Sequence, residues 1–389
     1  MKKTLLAAAL LAGFAGAAQA ETSVTLYGII DTGVGYNKVE VPGATTDYDH
    51  SRVGMMNGVQ SGSRWGLRGT EDLGDGLKAV FTLESGFDSS NGNQAQGGRL
   101  FGRQATIGLA SDSWGQLDFG RQTNVSSKYF AGIDPFSAGF GQANIGVGIS
   151  AANTYRLDNM VLYQTPSISG FQFGVGYSFS ADDTQNQAFS VNQNTGAVTP
   201  VGAGDRVNFQ TADNVRAITA GARYVNGPLQ VALSFDQLNG DNAHDDATPR
   251  QYAIGGAYDF EVVSLSLAYA RTEDGWFQAP TIQGASGAPL GGFGSNAFAD
   301  GFRSNSYMVG LTAPVGAGKV MTSWQMVDPQ NDNLTGAGND EKMNVFSLGY
   351  TYDLSKRTNL YVIGSYAKNY AFIDDAKSTL VGMGIRHRF

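Results

Sequence analysis

Three histidines, His50, His244 and His387, and no cysteine make up all the imidazole and thiol in these 389 residues. A nucleophile–histidine pair or a zinc site needs such groups to converge. These three fall in two polar segments and on one face of the last predicted strand. Acid pairs such as Asp47/Asp49, Asp245/Asp246 and Asp328/Asp332 could attract divalent ions, but none has the spacing of an EF-hand loop. Gly146-Val-Gly148 and Gly174-Val-Gly176 lack the third glycine and the helix start of a dinucleotide-binding turn. No enzyme chemistry, cofactor, metal or nucleic-acid partner is expected. What remains is charge in alternation with large apolar residues, and alternation is a property of strands.

The chain ends on the clearest case. Val381, Met383, Ile385, His387 and Phe389 share one face, and Gly382, Gly384, Arg386 and Arg388 share the other, up to an aromatic carboxyl terminus. Such a strand fits a barrel wall with lipid outside and water inside. In Ser63–Thr70, Trp65 and Leu67 point to lipid and Arg64, Gly66, Arg68 and Thr70 inward; in the next strand Phe81 and Leu83 face out and Thr82, Glu84 and Gly86 face in. Tyr27 and Asp31 are inward by the same count. A charge on the lipid face near the midplane costs ~2–4 kcal/mol, so these charges belong to a wet lumen. Strand Leu100–Leu109 leaves two readings. If its apolar face meets lipid, Arg103 points out; if its small face, with Gly102 and Gly108, packs on another subunit, Arg103 points into the pore. The second places Arg103 with the other inward arginines.

The same pattern predicts sixteen strands: Val24–Val34, Ser63–Asp72, Leu77–Phe87, Leu100–Leu109, Gln116–Arg121, Arg156–Thr165, Phe171–Ser180, Arg216–Tyr224, Leu229–Gln237, Arg250–Asp259, Val262–Arg271, Arg303–Pro314, Lys319–Val327, Lys342–Leu354, Thr358–Lys368 and Ser378–Phe389. Short turns alternate with longer polar segments, so the expected fold is all-β, a transmembrane antiparallel 16-stranded β-barrel closed on itself. The long segments (35–62, 88–97, 122–154, 181–215, 238–249, 272–302, 328–341 and 369–377) hold 21 of the 34 acidic residues but only five bases. The wall is therefore net basic although the whole chain is net acidic. Segment 122–154, with Lys128, Tyr129, Phe130 and Asp134-Pro-Phe136, is too aromatic for a solvated loop. Folded inward as a third loop, it would set Asp134 opposite the arginines.

Met1-Lys-Lys3, the apolar run Leu5–Ala18 and Ala18-Gln-Ala20 read as a secretory signal peptide over residues 1–20, cleaved on export, with the barrel in residues 21–389. A soluble all-β adhesin would need a buried inter-sheet core, and none is legible.

The runs Arg64-Trp-Gly-Leu-Arg-Gly-Thr-Glu-Asp-Leu-Gly74, Leu117-Asp-Phe-Gly-Arg121, Asn159-Met-Val-Leu-Tyr-Gln-Thr-Pro166 and Gly384-Ile-Arg-His-Arg-Phe389 resemble the Gram-negative general diffusion porins of beta-proteobacteria, over the chain from Val24 to Phe389. The resemblance implies a homotrimer in the cell outer membrane, in contact with lipid and lipopolysaccharide, passing ions and small hydrophilic solutes. It implies a constriction in which Arg64, Arg68, Arg103 and Arg156 face Asp134 with Glu84 beside them, and a trimer contact around the first strands. It also implies that Phe389 is read by the barrel-insertion machinery. Enterobacterial relatives carry Pro-Glu-Phe-Gly at the constriction, where this chain has Asp134-Pro-Phe-Ser137, a carboxylate displaced by one residue. An arginine wall that outnumbers its acids implies weak anion preference; a channel selective for small anionic solutes is the alternative.

Overall fold

The computed structural model describes residues 23–42, 48–181, 189–191, 198–200, 215–239, 248–280, 293–298, 301–331 and 341–389. The proposed signal peptide, His244, Asp47, Asp245, Asp246 and Asp332 lie outside them. Sixteen wall strands, each antiparallel to its neighbours, close into one barrel. They are β1 Ser23–Val41; β2, in two pieces, Tyr48–Asn57 and Arg64–Gly74; β3 Leu77–Gly86; β4 Gln104–Ser111; β5 Gly115–Thr123; and β6, again in two pieces, Arg156–Leu157 and Met160–Gln164. The wall continues through β7 Phe171–Ser178, β8 Arg216–Asn226, β9 Leu229–Asn239, β10 Arg250–Asp259, β11 Ser264–Glu273, β12 Ser304–Val315, β13 Gly318–Pro329, β14 Met343–Asp353, β15 Thr358–Lys368 and β16 Lys377–Arg388. β16 runs along β1 from Lys377 opposite Glu40 to Arg388 opposite Ile29. Beyond it, Phe389 and Gly28 exchange backbone hydrogen bonds at 3.1 Å, which completes the closure.

Side-chain alternation explains the wall. Leu26, Ile107 and Met383 are more than 60% exposed on the outer face, whereas inward positions such as Ser234, Ser306, Gln325 and Ser365 are buried and polar. Apolar residues so exposed need lipid around them, and a polar interior needs water or a polar plug. The turn Asp75-Gly76 joins β2 to β3 with positive φ at both residues (51° and 74°), the mirror-image turn that matches strand twist.

The first two strands differ from the sequence reading. β1 continues past Val34 to Val41 and pairs with Tyr48–Asn57, so much of segment 35–62 is a hairpin rather than a loop. The alternation of exposed apolar residues there is reduced to Val53 and Met55, too short a run to mark a wall strand. β2 is then broken at residues 58–63, where Gly58 takes φ +64° and the chain turns away from the sheet.

The third loop follows β5 and lies inside the barrel. Asn124 caps the short helix α1, Val125–Phe130, by accepting from the Ser127 N–H at 3.2 Å. Three 3₁₀ turns follow, and Tyr129, Phe130, Ile133, Ile145 and Ile149 are fully buried against Met160, Leu162, Ala217 and Ala268 of the wall. This loop–wall contact is the main hydrophobic core. Burying those side chains contributes ~1.5–3 kcal/mol each.

Candidate pore constriction

Polar bonds fix where the third loop crosses the lumen. The Val125 N–H donates to Thr219 Oγ1 (2.9 Å), Ser234 to Ser126 (3.0 Å), the Ala151 N–H to Gln251 (2.8 Å), the Gly148 N–H to Gln325 (3.1 Å), and Gln142 to the Ser378 carbonyl (3.2 Å). These partners sit on β8, β9, β10, β13 and β16, so the loop leans on that part of the wall. The arginines stand on the first strands.

Glu84 organises them. It accepts from the Tyr27 hydroxyl at 3.0 Å and from Arg103 Nε at 2.7 Å, and Arg64 Nη1 lies 3.8 Å away. Arg156 Nε donates to the Arg103 carbonyl at 3.1 Å. Arg68 stacks over the Tyr27 ring at 5.4 Å with its head exposed. Arg64, Arg103, Arg156 and Glu84 are thus brought together, with Arg68 beside them. The two readings of the Arg103 strand resolve in an unforeseen way. Ile107 and Leu109 do face out, and the small face looks inward, where a Cβ on Gly108 would meet Asp118. Arg103 nevertheless reaches Glu84, because β4 begins only at Gln104 and residues 101–103 form a turn free of strand alternation. Gly102 and Gly108 are therefore not a subunit seat. A second cluster adjoins the first: Asp158 accepts from Arg99 at 2.8 Å and from Arg121, whose Nε also donates to the Gly102 carbonyl at 2.8 Å. Sequence reasoning missed this cluster, because Gly120 at φ +114° interrupts the alternation just before Arg121.

Asp134 does not oppose the arginines. Its carboxylate is buried and accepts the N–H groups of Phe136 (2.9 Å), Ala138 (2.8 Å) and Ile145 (3.0 Å), tying the loop to itself. The one-residue displacement of the carboxylate thus moves it from the pore into the loop's own turn. As the sole acid of segment 122–154, it leaves the loop without an acid toward the lumen, and the most exposed loop positions there are Gly132, Ser137 and Gly141. Burial pushes Asp134 up to about 6, against the pull of its three N–H bonds, and burial likewise lowers the Lys128 ammonium. Because the folded value lies above the ordinary one, the ionised form costs stability at neutral pH, and that cost is relieved as pH falls through about 6. Acidification in this window should not release the loop through Asp134. Asp134→Ala should: it strands buried N–H groups at ~1–3 kcal/mol each, and single-channel records should show higher or noisier conductance. Asp134→Asn, which keeps an acceptor, should show much less.

Asp31 points inward but is sealed off from the lumen. It accepts from Tyr361 Oη at 2.7 Å and the Ser61 N–H at 2.6 Å, beneath the break in β2. Arg386 bonds Asn359 and Ser61, and Arg388 is exposed near the turn rim. On the outer face, the Phe389 ring covers Gly28, where a Cβ would come within 2.3 Å of it. His387 contacts Thr358 at 2.8 Å. Among the described residues no group of three metal-ligating side chains converges.

Comparison with known proteins places this geometry. An outer membrane porin protein of Bordetella pertussis is 70% identical over 405 residues, spanning the whole of both chains. Outer membrane porin protein 32 of Delftia acidovorans is 33% identical, covering 98% of this chain and 92% of its own. Among solved structures, an anion-selective porin from Comamonas acidovorans superposes with a TM-score of 0.68 at 29% identity, over 95% of this chain and all of its own. The family description of Gram-negative porins matches residues 7–371. A closed sixteen-strand wall, apolar outside and narrowed by an inward loop, is the form such a pore takes, and this chain belongs to the Gram-negative porin family, as an outer-membrane general diffusion channel.

Proposed function

We propose that the pore passes small hydrophilic solutes by size with a weak preference for anions, and that it works as a homotrimer. One observation carries the selectivity: three arginines, Arg64, Arg103 and Arg156, gather around a single carboxylate, Glu84, while the loop across the lumen offers no exposed acid. The acids of the outer segments lie farther off, and beyond ~8–10 Å they are screened at physiological salt, whereas charges lining a narrow pore are not. The relative from Comamonas acidovorans, named as anion-selective, supports the same sign. The homotrimer is carried by the family resemblance, and contacts with lipopolysaccharide and the insertion machinery belong to the same reading. Residues 1–20 act as the cleaved signal peptide. In liposome swelling, rates should fall with sugar size without saturating, and an anionic solute should enter faster than a neutral one of equal size. Saturation by one solute would favour the selective-channel alternative.

A further inference from the structure

The lumen holds a second basic site, apart from the Arg64 cluster. A cavity of about 310 Å³ lies between the tip of the third loop, at Phe136 and Ser137, and the Ser355–Arg357 turn on the short-turn rim. Five bases line it, Lys319, Lys356, Arg357, Arg386 and Arg388, against one acid, Asp353. We propose that this cavity is a binding subsite for small divalent oxyanions, such as phosphate or a short dicarboxylate, at the periplasmic end of the pore.

Three features distinguish it from a diffuse basic surface. First, Arg386 is held in place: its Nε donates to Asn359 Oδ1 at 3.0 Å and its Nη1 to Ser61 Oγ at 3.1 Å. The Gln60 amide, turned with its oxygen toward the guanidinium, accepts from both Nη atoms at 3.2 Å. A fixed guanidinium loses little freedom on binding an anion. Second, Lys319 and Arg388 bring further positive charge to the same space from β13 and β16, and among the described residues neither forms a salt bridge. Third, Ser61 and Thr351 line the same cavity with hydroxyls, donors that a polyoxygen anion can use and chloride uses poorly. The charge favours two negative charges over one, and the volume admits a phosphate or a four-carbon dicarboxylate.

The proposal rests on the anion-preferring reading of the pore, and the test separates the two. Purified trimer in planar bilayers at about 0.1 M KCl, where charges are screened over ~10 Å, is titrated with phosphate, succinate and acetate at fixed ionic strength. Phosphate and succinate should reduce the chloride current or add current noise at millimolar concentration, and acetate should not. The half-effective phosphate concentration should rise about tenfold in Lys319→Gln and again in Arg388→Gln, the scale of one charge-assisted bond. Using both variants guards against one that assembles poorly. No effect of either dianion, or equal effects in wild type and both variants, overturns the subsite. The zero-current potential in a KCl gradient, read in the same membranes, reports the constriction independently. A cation-preferring pore that still binds phosphate would overturn the reading of selectivity and leave the subsite standing.

Discussion

Deleting Phe389 is expected to leave unassembled, protease-sensitive chain and little heat-modifiable oligomer in the outer membrane. The folded barrel alone does not explain so large an effect. Phe389 contributes two backbone hydrogen bonds to Gly28 and a ring lying over that glycine, while β1 and β16 remain zipped from Glu40/Lys377 to Ile29/Arg388. Two bonds are worth ~0.5–1.5 kcal/mol each, far too little to open a closed sheet. A severe loss would therefore lie in recognition of the aromatic terminus before insertion. Gly28→Leu separates the cases: it displaces the ring from its seat but keeps the terminal residue, so assembly should persist with a lower melting temperature. Normal amounts of assembled protein from the truncated chain would reduce Phe389 to a packing residue.

The second large effect concerns the arginines around Glu84. Replacing Arg64 and Arg103 together by alanine leaves Arg156 as the remaining cation of that trio against Glu84. One charge about 5 Å from a permeating ion in a high-dielectric pore is worth ~1 kcal/mol, so the anion-to-cation permeability ratio should fall by about fivefold or more. Neither residue packs in the loop–wall core, so the heat-modifiable oligomer should persist, which keeps a null result interpretable. An unchanged ratio would mean that the field at the constriction is set elsewhere, with the Arg99/Arg121/Asp158 cluster as the next group to remove.

The wall was largely legible in the sequence because lipid outside and a polar interior impose a strict two-residue period. That period ordered sixteen strands and placed Arg64, Glu84 and Tyr27 on one face, and the structure brings these three together. It failed where its cause is missing. Gly35 to Val41 pair with Tyr48 to Gly54, and the exposed apolar positions of that hairpin, Val53 and Met55, make too short an alternation to mark a strand. Arg103 and Arg121 lie beside a turn and a positive-φ glycine, and their long side chains reach groups that backbone parity would deny them. Asp134 illustrates a different limit. A carboxylate in an inward loop reads as pore lining, but the same loop has backbone N–H groups to satisfy in a buried turn, and those claimed it. Its removal from the lumen strengthens the expectation of anion preference, since it takes away the acid that the sequence had set against the arginines.

The most direct test of the central claim, that wall arginines and not outer acids set the pore's preference, is the sign of the zero-current potential of the wild-type oligomer across a KCl gradient in molar salt. At such concentrations the Debye length is ~3 Å, so the acidic outer segments are screened and the constriction dominates. The expected potential has the sign given by chloride outrunning potassium, growing more anionic as salt is raised from a dilute gradient. A pore that prefers potassium in molar salt would contradict it and make Glu84, with Asp158 beside it, the dominant charges of the channel.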